Sequence, residues 1–186
     1  MPNARSGAAA RVEPGSEEDA SWGPRRARPG DAGRVRLRPL RPEDLPVIRR
    51  WDADRRLARL YGAAPSDLAR EGARHLAAIE AGGRLVGLIG LSGISPVTRS
   101  AELRVLIGRA EDRGQGFGRA AVQAYLGRVR EAFNLSHVYV RVLAGNRPAL
   151  RCFESCGFRR IGVLRVRHDR RYADPPLPDD VVLLTL

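Results

Sequence analysis

The chain has 186 residues, 43% apolar and 5% aromatic, enough for one domain with a buried core and too few for a second large one. No apolar run approaches the roughly 18 residues of a bilayer span, which points to a soluble chain. All 33 basic residues are Arg, and against 21 acidic residues they give a net charge of +12. This single-cation bias reads as genome composition first, although guanidinium groups also fork well onto phosphates. Two cysteines are too few for a disulfide framework, and the expected compartment is the reducing cytoplasm.

Residues 1–33 are rich in Ala, Gly, Pro, Glu and Arg without an apolar period, and they read as a disordered tail. Ala8-Ala9-Ala10 is too short for the core of a secretory signal. The tail's charges cancel, so the whole +12 lies in 34–186, the expected domain. Val35-Arg36-Leu37-Arg38 alternates apolar and charged residues as a half-buried strand does, and Pro39 closes it. Pro42-Glu43-Asp44-Leu45 opens one helix carrying Leu45, Ile48, Trp51, Leu57 and Leu60; a second covers Pro65 to Arg74, with Ser66 or Asp67 near its cap. Strands at 75–81 and 84–93 flank Gly82-Gly83, a hairpin turn supplying positive φ, and 101–108 makes a fourth strand. From Gly116 to Phe133 the period turns helical, with Val122, Leu126, Val129 and Phe133 on one face. A buried strand follows at 137–143. Asn146 and Pro148 start a helix that Gly157 stops. Strands at 158–167 and 181–186 finish the chain around a charged, Pro-rich loop at 168–180. Trp51 and Tyr139 read as core residues.

The segment Arg113-Gly114-Gln115-Gly116-Phe117-Gly118 joins a strand to the long helix. Its glycines let successive backbone N–H groups face outward, and the helix that follows adds its positive end, a combination suited to phosphate. Arg113 or Arg119 can add charge-assisted bonds. A P-loop is excluded, since the chain has no Lys. The Rossmann fingerprint is broken where Arg119 stands in place of its third Gly, after a meander that reads as antiparallel.

This segment resembles the Gln/Arg-x-x-Gly-x-Gly/Ala signature of the GNAT N-acetyltransferase superfamily. Downstream, Asn146-Arg147-Pro148-Ala149-Leu150-Arg151-Cys152-Phe153-Glu154-Ser155-Cys156-Gly157-Phe158 resembles that family's Asn-x-x-Ala-x-x-x-Tyr-Glu-x-x-Gly-Phe segment. The start Arg38-Pro39-Leu40-Arg41-Pro42-Glu43-Asp44 and the finish around Tyr172-Ala173-Asp174 most resemble the branch that acetylates ribosomal-protein N-termini. The resemblance implies an α+β fold: a mixed, mostly antiparallel sheet of about seven strands, splayed between the fourth and fifth and flanked by about four helices. It implies acetyl-CoA as acyl donor and a primary amine, on a protein N-terminus or a small molecule, as acceptor in a ternary complex. Its pyrophosphate is expected on Arg113, Gly114, Gln115, Gly116, Phe117, Gly118 and Arg119. The pantetheine is expected along Val105, Leu106 and Ile107, with Asn146 and Phe153 beside it. The backbone N–H of Leu106 or Ile107 becomes an oxyanion donor, and Glu102 the general base.

Two departures stand out. Some branches place a Glu base five residues before the Asn, where this chain has Arg141; the family's acid Tyr is replaced by Phe153. For Glu102 the plainer reading is a strand carboxylate paired with Arg104 or a neighbouring strand Arg. Asn146 serves as helix cap with the pantetheine contact additional, and Cys152 and Cys156 read as small groove-side or core-side residues. No His or Cys spacing suits a metal. The acceptor pocket is expected between 42–74 and the loop 168–180. A homodimer fits the resemblance, whereas a membrane partner does not. The competing reading is a catalytically weak CoA-binding module, or one seated on the ribosome or nucleic acid through its +12 domain. Nucleic acid is disfavoured, because aromatic and basic residues do not interleave.

Overall fold

The computed structural model describes residues 35–61, 64–71, 75–165 and 180–186. The tail 1–33, the second helix's expected end at 72–74 and the loop segment with Tyr172, Ala173 and Asp174 lie outside the described residues. In chain order the elements are β1 (Arg36–Pro39), a 3₁₀ turn (Pro42–Asp44), α1 (Leu45–Trp51), α2 (Arg55–Tyr61), α3 (Pro65–Glu71), β2 (Leu76–Ala81), β3 (Arg84–Ser95) and β4 (Ser100–Ile107). A second 3₁₀ turn (Ala110–Asp112), α4 (Phe117–Ala132), β5 (His137–Leu143), α5 (Arg147–Ser155), β6 (Arg159–Leu164) and β7 (Val181–Thr185) follow. The strands form one seven-stranded sheet in the order β1-β2-β3-β4-β5-β7-β6. Every neighbouring pair is antiparallel except β4 and β5, which run parallel.

Both faces of the sheet are covered. Val122, Tyr125, Leu126 and Val129 of α4 pack on Ile79, Val86, Ile89, Leu103 and Val138. On the other face Ile48, Trp51, Leu57 and Leu68 of α1, α2 and α3 pack on Ala78, Leu85, Leu88 and Leu106. Burying each large side chain contributes about 1.5 to 3 kcal/mol, so these layers hold the strand ends in place. Phe133 departs from the expected face: it lies past the end of α4, is 36% exposed, and stacks edge-on against His75.

Three local expectations are corrected. The helix expected to run from Pro42 through Leu60 breaks into α1 and α2, because the Asp54 carboxylate accepts the Arg56 N–H at 2.9 Å and caps a new helix. The described residues therefore carry five α-helices rather than about four. The amide of Ser66 is satisfied by Asp52 at 3.0 Å, from the end of α1, and not by a cap of α3's own. Tyr139 is only half-buried.

Arg38 is buried, contrary to the alternation that placed it outward. Its guanidinium bonds both oxygens of Asp44 at 2.7 and 2.8 Å and Glu80 at 2.7 Å, tying β1 and β2 to the turn that launches α1. Burial alone raises the Asp44 carboxyl, but bonds from Arg38 and the Arg41 amide outweigh it and leave it below the ordinary value. Its stabilising effect is thus complete above the unfolded pKa of about 3.9 and is lost as pH falls through the lower folded value. Asp44→Asn leaves a buried guanidinium without its main partner; urea melts at pH 7 are expected to show a loss of about 3 kcal/mol, with a flatter stability profile below about pH 4.

Candidate active site

β4 and β5 pair only at Ser100, Ala101 and Glu102, opposite His137, Val138 and Tyr139. Beyond Glu102 the strands part, and β5 continues instead against β7. The edge of β4 from Leu103 to Ile107 that would face β5 is left without a strand partner, so its main-chain groups must find another. At the mouth of the opening, Arg141 reaches from β5 to Glu102, Nε to Oε1 at 2.9 Å and Nη2 to Oε2 at 2.6 Å. The carboxylate bond holds Arg141 above the ordinary guanidinium value. Glu102 is 8% exposed and meets a neighbouring strand Arg, which is the plainer of its two expected settings.

The opening leads to the glycine turn. Gly114 and Gly116 have φ of +76° and +84°, a region that side chains with a Cβ rarely adopt. Their conformation brings the chain into the first turn of α4, whose N–H groups lack partners within the helix. Gly118 sits in that turn beside Cys152 Sγ and Ile107. Gln115 and Arg119 are exposed, and Phe117 packs partly against the core. The Arg113 side chain is committed elsewhere: it donates to the Ile107 and Gly108 carbonyls and to Asp54 at 2.6 Å, so it braces the turn against β4 and the start of α2. Both expected cations line the groove, joined there by Arg151; Arg113 is the one paired with a carboxylate.

α5 forms the opposite wall. Asn146 Oδ1 accepts the Ala149 N–H at 3.3 Å, the expected cap. Phe153 is buried edge-on to Phe158 at 5.4 Å, and its ring occupies the place where an acid Tyr was sought. The Cys152 thiol lines the groove, and its hydrogen bond with Cys156, together with burial, holds it protonated.

Three cavities converge here. A groove of about 410 Å³ runs from the glycine turn to Phe153. A slot of about 320 Å³ fills the gap between β4 and β5 and includes Glu102, Arg104, Arg141 and Asn146. A chamber of about 580 Å³ lies under α2 and α3, against β3 and β4. Tyr61 and Val105 line all three. Tyr61 escaped the sequence reading, its only signal being an aromatic one residue after Leu60 in a sheet-facing helix; burial pushes its phenol up to about 12. Arg104 was considered only as a partner for Glu102, yet it lines the chamber and donates to the Tyr61 carbonyl at 3.2 Å. A long ligand with an anionic head fits the groove, and a second ligand in the chamber can meet its far end at Val105.

Residues 34–159 match the model of the acetyltransferase (GNAT) domain. A spermidine N(1)-acetyltransferase of Vibrio cholerae is 35% identical over 80 residues, covering 43% of this chain and 46% of that protein. An N-alpha-acetyltransferase of Sulfurisphaera tokodaii is 36% identical over 53 residues, 28% of this chain and 32% of the relative. These alignments span less than half the length of either relative. The solved Vibrio cholerae spermidine N-acetyltransferase in complex with CoA and spermine superimposes with a TM-score of 0.68 at 25% identity, covering 82% of this chain and 95% of that one. With its seven-stranded sheet parted between β4 and β5 and its glycine turn ahead of α4, the chain belongs to the GNAT acetyltransferase family.

Proposed function

We propose that this protein is an acetyl-CoA-dependent N-acetyltransferase, with residues 34–186 as its catalytic domain, that moves the acetyl group to a primary amine in a ternary complex. The observation that carries this reading is the unpaired edge of β4 running into the Gly114–Gly118 turn. Amides of the turn and of the first residues of α4 suit the diphosphate, with Arg119 adding charge. Main-chain groups of Val105, Leu106 and Ile107 suit the pantetheine in place of the missing strand. The Leu106 or Ile107 N–H is the oxyanion donor, a role commonly worth about 3 to 4 kcal/mol. The similarity to an N-alpha-acetyltransferase supports protein N-termini among the acceptors, in line with the ribosomal-protein branch.

Direct transfer follows from the thiols. Cys152 is held protonated and Cys156 lies outside the groove lining, so neither is placed as a nucleophile. Holding amine and thioester together supplies much of the rate. With Phe153 in place of an acid, the departing thiolate takes its proton from water, which a thiol of pKa near 8.5 tolerates. Glu102 accepts the amine proton, with Arg141 bonded across its carboxylate.

Calorimetry with acetyl-CoA is the direct test of the donor site. Gly116→Val forces a β-branched residue to φ near +84° and is expected to weaken binding more than tenfold; unchanged affinity contradicts the site. Intact mass after mixing with acetyl-CoA alone should show no acetyl-protein, and an adduct on Cys152 or Cys156 refutes direct transfer. Glu102→Gln should lower kcat about tenfold or more with acetyl-CoA affinity retained, and an unaltered pH profile removes Glu102 from the chemistry.

A further inference from the structure

The large chamber has a charge pattern of its own. On β4, Arg104 shares a face with Leu106, which packs under α1 and α2, so its guanidinium enters the 580 Å³ space from the floor. Arg38, Arg113 and Arg141 each meet a carboxylate. Arg104, half-buried, has no carboxylate partner among the described residues; its contact there is the Tyr61 carbonyl at 3.2 Å. A guanidinium presents five N–H donors in a planar fork, so most of its hydrogen-bonding capacity points to something else. Arg70 stands at the same chamber's rim, its side chain 80% exposed and 3.8 Å from Asp67. The described lining of the chamber includes no Asp or Glu.

We propose that the acceptor is an amine that also carries an oxyanion group, a carboxylate or a phosphate, and that Arg104, helped by Arg70, holds that group while the nitrogen faces Val105. The proposal rests on the acetyltransferase reading above. A half-buried cation in a space whose lining includes Leu68, Leu88, Leu91 and Leu106 is matched by an anion, and a fork matches an oxyanion with two parallel bonds. The same field repels ammonium, which favours the neutral amine that must attack. A polyamine brings further positive charge and no anion, so the described lining of this chamber has the wrong sign for the substrate named in the Vibrio cholerae relatives.

The test uses the full chain and unbranched primary amines of two to six carbons ending in a carboxylate, a phosphate, a carboxamide or a second ammonium. Thiol release is expected to give the oxyanion tips a kcat/KM roughly ten- to hundredfold above the carboxamide, with the diamine lowest; the carboxylate and phosphate arms show which oxyanion is used. Arg104→Gln should collapse the oxyanion-to-carboxamide ratio below threefold, and calorimetry with the acetylated carboxylate product should show a matching loss of affinity, while acetyl-CoA affinity confirms that the variant is folded. On the wild type alone, equal use of all tips, preference for the diamine, or no turnover of any tip while acetyl-CoA still binds overturns the proposal and leaves the donor site standing. No heat with acetyl-CoA removes both.

Discussion

The loss of pairing between β4 and β5 after Glu102 is the constraint from which the rest of the site follows. A strand edge inside a sheet costs free energy unless its N–H and C=O groups find partners, and here five residues of β4 face an opening instead of a neighbour. Pairing is parallel and brief on one side, while β5 is held by five register pairs with β7 on the other. The opening is therefore a property of the topology, kept in shape by the layers of α4 on one face and α1 to α3 on the other. Glu102 and Arg141 stand across its mouth and set where pairing ends.

Arginine organises much of this molecule. Arg38 joins Asp44 six residues on, and Glu80 far along the chain; Arg84 joins Asp112, Arg113 joins Asp54 and Arg141 joins Glu102, each across a long sequence separation. Once these pairs are made, Arg119 and Arg151 remain on the groove beside the glycine turn and Arg104 in the chamber under α2 and α3. Part of the Arg excess of the chain thus lines these two cavities.

Features set by short-range chemistry were legible in the sequence. The Gly82-Gly83 hairpin, the α4 face of Val122, Leu126 and Val129, the Asn146 cap and the glycine turn all depend on residues within a few positions of one another. What escaped depends on contacts across the fold. Asp54 splits a helix that periodicity ran together, and it also pairs with Arg113 at the edge of the groove. Arg38 looks solvent-facing until Asp44 and Glu80 close on it. The partner of Glu102 is 39 positions away and emerges only when β5 is laid beside β4. Tyr61 gains its place because three cavities meet at the end of α2, a fact that no spacing in the chain encodes.

Hydrogen exchange of the backbone amides, with and without acetyl-CoA, tests the central claim most directly. New protection is expected at Val105, Leu106 and Ile107 and from Gln115 to Arg119, with β1 to β3 unchanged. Protection confined to other segments, or none at these amides under saturating ligand, would contradict the idea that the parted edge of β4 and the glycine turn together form the donor site.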